Sequence, residues 1–201
     1  MYLKTIEVKN FRLLNEVVIN IDDSVTLIVG RNNTGKTSLM DVLYKVLNGE
    51  KLTFHDYPLS SRNQIYTLLT NYAYQKLSYD KLIEQIPITS VKFIVDYSLE
   101  TDDQLLGALS PFIIDTDISS TTAIISAEYR IIADQKLLDD IVALSKKEDK
   151  NNPAKFTIKK ELLRQAVIEH FNGIFSLVIS AINPMDSADT QLKSVNELKS
   201  L

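Results

Sequence analysis

Alternation of apolar and polar residues organises the first quarter of the chain. Leu3, Ile6 and Val8 interleave with polar neighbours and predict a half-buried strand over residues 3–8. Asn10, Phe11 and Arg12 turn the chain, and Val17, Val18, Ile19 and Ile21 predict a second strand over residues 15–21. Asp22, Asp23 and Ser24 are turn formers. An unbroken run, Val25, Thr26, Leu27, Ile28 and Val29, then reads as a buried strand. The period changes after it. Leu39, Val42, Leu43, Val46 and Leu47 recur at helical spacing and predict an amphipathic helix over residues 36–48, with Gly49 placed to cap it.

Beyond that helix both periods occur. Residues 63–76 predict a tyrosine-rich helix, whose Tyr66, Tyr72 and Tyr74 are expected to pack it against a sheet rather than to stack on bases. A short helix opens at Ser78 and stops at Pro87. Val91, Phe93, Val95 and Tyr97 alternate with Lys92 and Asp96 and predict a strand over residues 89–99, and residues 123–132 do the same. A short helix and a loop are expected between them. Two half-polar strands separated by polar turns imply an antiparallel sheet with one wet face. Leu138, Ile141, Val142 and Leu144 predict a helix opening at Asp134 or Gln135. Residues 145–160 carry Lys146, Lys147, Lys150, Lys155, Lys159 and Lys160 and read as a solvated linker, with contact to DNA phosphates as the alternative. Residues from 157 or 158 to 180 read as the longest helix, with His170 as a packing residue, ended by Asn183 and Pro184. The polar tail, residues 185–201, has room for a final helix.

One stretch carries chemistry. Gly30, Arg31, Asn32, Asn33, Thr34, Gly35, Lys36, Thr37 and Ser38 fit G-x-x-x-x-G-K-[ST], the phosphate-binding P-loop, between the aliphatic run and the amphipathic helix. The residue types follow from the task. A triphosphate is bound by backbone N–H groups at a helix N-terminus. Gly30 and Gly35 permit a tight, partly left-handed backbone and a close approach that a Cβ would block. Asn33 is one of the few other types that tolerates positive φ. Lys36 is placed to reach the β- and γ-phosphates of ATP, and Thr37 to put its hydroxyl on Mg²⁺. Ser38 is either a spare ligand or an ordinary first-turn residue.

Val8-Lys9-Asn10-Phe11-Arg12, some twenty residues ahead of Gly30, resembles the N-terminus of the ABC-type ATPases related to SMC and RecF proteins. The doubled Asn of the loop, and Leu52-Thr53-Phe54-His55-Asp56-Tyr57-Pro58 after the helix, look most like the OLD (overcoming lysogenization defect) family. The resemblance implies an α/β fold: an ABC-type P-loop lobe with an antiparallel β element and a helical extension. It implies a nucleotide-binding core over residues 1–58 and a helical and β part of the same domain over residues 59–201. It also implies that Arg12 sits beside the nucleotide, against the plain alternative of a surface arginine in a hairpin. OLD proteins are bacterial ATP-dependent endonucleases of phage defence, with a C-terminal Toprim domain. The resemblance thus implies ATP and Mg²⁺ as cofactors, DNA as a partner of the full-length assembly, and a homodimer or higher oligomer. A RecF- or SMC-like ATP-gated module without a nuclease is the rival reading. An independent small P-loop NTPase or kinase is a third. ATP is expected over GTP, and the chain has no Asn-Lys-x-Asp guanine-reading motif.

Composition narrows the partners. The 201 residues have a net charge of −4, so no strongly basic nucleic-acid surface shows in the chain taken alone. There is no cysteine, which excludes a disulfide frame and a thiolate metal site and suits a cytoplasmic protein. The N-terminal residues do not form a signal peptide, and no apolar stretch is long enough to span a bilayer, so no membrane partner is expected. His55 invites a metal or catalytic reading but has no partner cluster, and it reads as a loop or packing histidine.

Two parts expected of this ATPase class are missing: a Walker B strand ending in Asp-Glu, and a Ser-Gly signature motif. Phe93-Ile94-Val95-Asp96 and Phe112-Ile113-Ile114-Asp115 imitate the first, but Tyr97 and Thr116 stand where the catalytic Glu belongs. No Ser-Gly pair occurs. The chain is therefore expected to be the N-terminal part of a longer protein, or one piece of a split one. Alone, it is expected to bind ATP and barely hydrolyse it.

Overall fold

A computed structural model describes residues 1–98, 103–114, 120–149, 152–183 and 193–194. In chain order the elements are β1 (Tyr2–Phe11), β2 (Leu14–Asn20), α1 (Lys36–Leu47), a 3-10 turn (Phe54–Asp56), α2 (Leu59–Ala73), α3 (Tyr79–Gln85) and β3 (Thr89–Asp96). There follow α4 (Asp103–Leu109), a second 3-10 turn (Ser110–Phe112), β4 (Thr122–Ile131), α5 (Gln135–Ser145), β5 (Lys146–Asp149), β6 (Asn152–Ile158), α6 (Lys160–Glu169), α7 (Phe171–Ile174), β7 (Phe175–Ile182) and β8 (Lys193–Ser194). This is the mixed α/β class with an antiparallel β element that the sequence predicts.

Six strands form one sheet in the order β2-β1-β3-β4-β7-β8, every neighbour antiparallel. The register explains why the alternating strands choose it. Ile19, Ile6, Phe93, Ile125 and Ala181 line up across five strands, and Val17, Val8, Val91, Ala127 and Ile179 make the next row. A slip of one residue would turn every one of these side chains to the other face. That face meets the helices in one core, to which α1 gives Leu39, Val42 and Val46, α2 gives Ile65 and Leu69, α5 gives Leu138 and Ile141, and α6 gives Leu163 and Val167. Burying such a side chain contributes about 1.5–3 kcal/mol, so three on α1 suffice to fix its rotation about its own axis. The opposite face carries polar cross-strand pairs such as Lys9 with Glu16, 2.8 Å apart.

Four expectations are corrected. The aliphatic run at residues 25–29 forms no strand and is not buried: Val25, Leu27 and Val29 are 74–82% exposed. A strand is stable only where a neighbour accepts its ladder hydrogen bonds, and among the described residues none lies beside this run. The lysine-rich segment, residues 145–160, contains a β-hairpin, β5 with β6, rather than a solvated linker. Tyr74 stacks on Phe156 at 5.5 Å, and its hydroxyl accepts from the Ile158 N–H at 3.1 Å, which anchors the hairpin to α2. The long helix over residues 157 or 158 to 180 is three elements. It stops at His170, resumes for one turn, and becomes β7, where the β-branched and aromatic content of Phe175–Ile182 fills the strand beside β4. His170 lies exposed at the helix end and is not a packing residue.

Smaller differences follow from tertiary context. The first helix carries Leu47 exposed, because Leu39, Val42 and Val46 already supply its buried stripe. The tyrosine-rich helix begins four residues early, at Leu59, directly after Pro58. Asp115 and most of the tail lie outside the described residues.

Candidate functional site

The P-loop adopts the backbone that its residue types call for. Asn33 has φ 65° and Gly35 φ 95°, both left-handed. A Cβ on Gly35 would stand 2.7 Å from Leu14 Cδ2, and one on Gly30 would stand 2.8 Å from Thr34 Oγ1. Both contacts are with side-chain ends that can shift, so it is the left-handed φ of Gly35 that calls for glycine. Thr34 Oγ1 donates to the Arg31 carbonyl at 2.9 Å and ties the loop to itself.

Gly35 is the N-cap of α1 and offers no side chain to the first-turn N–H groups. The N-caps of α3 and α5 are filled by Ser78 and Asp134, whose side chains accept from the first turn. The start of α1 thus keeps its donors and its partial positive charge for an external anion. A cavity of about 250 Å³ opens there, lined by Leu13, Asn32, Asn33, Thr34, Gly35, Lys36, Thr37 and Ser38. Small-molecule pockets run to about 300–1,000 Å³, so this one matches the phosphate portion of a nucleotide rather than the whole. The Lys36 ammonium lies over the loop, donating to the carbonyls of Gly30 and of Arg31, the latter at 2.7 Å. Thr37 is exposed at the cavity, whereas Ser38 is 8% exposed and faces the core side of the helix.

The β1–β2 hairpin tip leans on this loop through Leu13 and Leu14. What holds the tip is a charge network for which the sequence offers only a faint signal. Arg12 donates from Nε to Asp56 Oδ1 at 2.9 Å and pairs through Nη2 with Asp56 at 2.7 Å and with Asp41 of α1 at 2.6 Å. Its own N–H donates to the Asp56 carbonyl at 2.7 Å. Lys45 Nζ and the Thr53 N–H complete the shell on Asp56 Oδ2 at 3.0 and 2.9 Å. Burial, the largest influence on the Asp56 carboxyl, opposes ionisation; hydrogen bonds from Thr53, Lys45 and Arg12 outweigh it and hold the group below the usual carboxylate range. Asn10 fixes the other side of the tip, donating to the Ile88 carbonyl and accepting from Thr89 Oγ1. Its φ of 55° and that of Arg12, 48°, are the local strain this anchoring sustains.

The remaining candidates stand elsewhere. Asp96 pairs with Tyr2, at the far end of β1 from the hairpin tip, nine residues and about 30 Å from Phe11. It caps Ser98, and the Ser98 hydrogen bonds lower its carboxyl. Phe112 belongs to a 3-10 turn, not to a strand. His55 lies beside Arg62 at 3.4 Å and edge-on to Phe54. Among the described residues no cluster of His, Asp and Glu could hold a metal ion by itself, and no helix is long and apolar enough to cross a membrane.

The chain is 26% identical over 190 residues to Endonuclease GajA of Bacillus cereus (strain HuB5-5), covering 83% of this chain and 27% of that protein. It is 43% identical over 44 residues to the DNA replication and repair protein RecF of Lactobacillus johnsonii, 22% of this chain and 12% of that protein. It is 31% identical over 87 residues to the DNA double-strand break repair Rad50 ATPase of Methanosarcina acetivorans, 42% of this chain and 8% of that protein. The chain spans about a quarter of the length of GajA and less of the other two. A solved chain from work on ATP-driven dimerization and DNA-stimulated activation of SMC ATPases aligns over 100% of this chain and 90% of its own, at 14% identity and a TM-score of 0.38. The profile of one family, described as AAA ATPase domain, matches residues 1–199, and the chain belongs to that family.

Proposed function

We propose that this chain is the ATP-binding N-terminal portion of an OLD-like ATPase-nuclease of phage defence. In this reading nucleotide state controls DNA cleavage by a C-terminal Toprim domain. One observation carries the nucleotide step: an α1 N-terminus without a side-chain cap, opening on a cavity beside Lys36 and Thr37. The open helix N-terminus, with Lys36 and Thr37 beside it, fits a phosphate chain. When bound, Mg²⁺–ATP supplies the phosphoanhydride bond that the complete enzyme breaks. The chain's own part is to bind and orient. Lys36 exchanges two carbonyls for phosphate oxygens, a stronger charge-assisted contact. The Thr37 hydroxyl holds the metal, and the first-turn amides receive the remaining anionic oxygens. Arg12, clamped by Asp41 and Asp56, holds the hairpin tip beside the loop.

The match to GajA across most of the chain favours the nuclease reading. The shorter matches to RecF and Rad50 favour the rival, an ATP-gated DNA-binding module without a nuclease, working as a dimer or higher oligomer. The exposed run at residues 25–29 supports the view that further polypeptide completes the lobe, because an apolar Walker B strand is the neighbour its chemistry calls for.

Calorimetry with ATP and Mg²⁺ tests the nucleotide step. Lys36→Ala is expected to abolish most affinity, and Thr37→Ala to remove the Mg²⁺-dependent part. Unchanged binding in Lys36→Ala would refute the P-loop assignment. A DNA-cleavage assay on the full-length protein with and without ATP separates the two readings.

A further inference from the structure

We propose that the β5–β6 hairpin presents a lysine surface that binds the phosphate backbone of a nucleic-acid duplex without reading its bases. Six of the chain's 22 Lys and Arg residues fall between residues 146 and 160, where Glu148 and Asp149 are the acids, in a chain of net charge −4. The hairpin turns this run into a platform. Tyr74 of α2 stacks on Phe156, and the Lys159 N–H donates to the Ser145 carbonyl at 3.0 Å, which closes the base of the hairpin. Lysines on fixed backbone lose less freedom when a partner binds. None of the residues named lines the P-loop cavity, so the surface is separate from the nucleotide site.

The register sorts the lysines. Successive strand residues point to opposite faces, and Lys147 lies opposite Thr157 while Glu148 lies opposite Phe156. Lys147, Thr157 and Lys159 therefore share the face turned away from Phe156, and all three are exposed. Lys160, also exposed, follows at once. On the other face the Lys146 ammonium stands 4.8 Å over the Phe156 ring, and Lys76 stands 5.7 Å over the Tyr74 ring. A ring holds an ammonium in place without neutralising it. Among the described residues none of these five lysines forms an ion pair, whereas Lys9, Arg12, Lys45 and Arg130 each meet a carboxylate. The arrangement works against folding. Lys147 and Lys159 are diagonal neighbours of like charge, about 7–8 Å apart across the hairpin. Lys159 and Lys160 stand at the start of α6, the end of a helix where a cation is disfavoured. Cations kept unpaired where they repel one another are complementary to an anion that the described part of the chain does not supply, and a row of phosphates is such an anion. The rings are engaged with each other and with two ammoniums, so the surface offers charge rather than a stacking platform for bases. That favours a duplex, whose phosphates face outward, over a single strand.

Fluorescence anisotropy of a labelled DNA duplex of arbitrary sequence, titrated with the 201-residue chain without nucleotide, tests this. Four phosphate contacts predict a slope of log affinity on log salt of about −3.6, or a loss of about 100-fold between about 50 and 200 mM salt. Joint replacement Lys147→Gln and Lys159→Gln is expected to flatten the slope by about 1.8 and to weaken binding at the lower salt at least about 10-fold. Its Tm should stay level or rise, because a repulsion is removed, and its affinity for ATP should be that of the parent. Joint replacement Lys147→Arg and Lys159→Arg keeps the charge and should keep the slope. Absence of binding at the lower salt, an unchanged slope in the Gln variant, or a slope lost equally in the Arg variant would overturn the proposal. So would a lowered Tm in the Gln variant, which would show that these lysines serve the fold. Loss of DNA binding in Lys36→Ala would place the phosphate contact in the P-loop instead and leave the nucleotide reading intact. Tighter binding of single-stranded DNA or of poly-L-glutamate than of the duplex would also overturn it, the second by assigning the surface to an acidic protein.

Discussion

Replacing Asp56 by Asn should destabilise the chain and loosen the loop beside it. The carboxylate is 2% exposed and is met by Arg12 twice, by Lys45, and by the N–H and hydroxyl of Thr53. Two limits bracket the cost. An exposed ion pair contributes about 0–1 kcal/mol. Breaking a fully buried one costs about 3–5 kcal/mol, since the partner charge is left uncompensated. The partners here lie between these limits: the Lys45 side chain is 15% exposed and that of Arg12 is 38% exposed, and Arg12 keeps Asp41. A loss of about 2–3 kcal/mol is expected, or about 5–10 °C in Tm for a domain of this size. Asp41→Asn, whose carboxylate is 31% exposed and which serves Arg12 alone, should cost no more than about 1 kcal/mol. Urea unfolding followed by circular dichroism measures both. The folded-state carboxyl of Asp56 is lowered, so its contribution is complete above the unfolded-state value and is lost as pH falls through the folded one. The difference between wild type and Asp56→Asn should therefore shrink in acid. Equal, sub-0.5 kcal/mol effects of the two substitutions, or a difference that does not change with pH, would refute the idea that Asp56 anchors the hairpin tip (the threshold is about the noise of a surface substitution).

Other outcomes follow from the same geometry. Gly35→Ala combines a φ of 95° with a contact of 2.7 Å to Leu14, so it should cost about 1–3 kcal/mol and, by the proposed function, remove ATP binding, read by unfolding and calorimetry together. The Tyr72 hydroxyl, buried and donating to Asp139 at 2.7 Å, is pushed up to about 12. Its stabilising effect is present below the unfolded value near 10 and is lost as pH rises towards 12, so Tyr72→Phe should flatten the alkaline limb of the stability curve. The isolated chain should release phosphate from ATP at a background rate, because each absent electrostatic contributor costs about 10²–10³-fold. Turnover that is abolished by Lys36→Ala would overturn that expectation.

The parts legible in the sequence were those set by local rules. The P-loop, the left-handed Asn33, the alternating strands β1, β3 and β4, and helices α1, α3 and α5 follow from residue type and period alone. Two failures came from neighbours that periodicity does not report. Phe175–Ile182 is apolar enough for either a buried helix or a buried strand, and it is the open edge of β4 that decides for the strand. Residues 145–160 looked solvated because lysines dominate, while the hairpin is held by Tyr74 from another element. In the site, the motif singled out Arg12 as a residue beside the nucleotide, but its pairing with Asp41 and Asp56 had no such signal. A carboxylate 44 residues along the chain from its arginine has no sequence signal beyond the recurrence of an acid near the end of the Leu52–Pro58 stretch.

The aliphatic run before the P-loop also governs how the free chain behaves in bulk. Val25, Leu27 and Val29 stand in water with the backbone between them outside any sheet. Unpaired, uncharged and mostly β-branched, the run is a template for edge-to-edge association with the same run in another molecule. Loss of this protein from solution should rise steeply with its concentration, and a single Leu27→Lys exchange should relieve it without altering the cooperativity of unfolding. Colloidal stability and folding stability thus reside in different residues of this chain, and a purification that fails need not mean a fold that has failed.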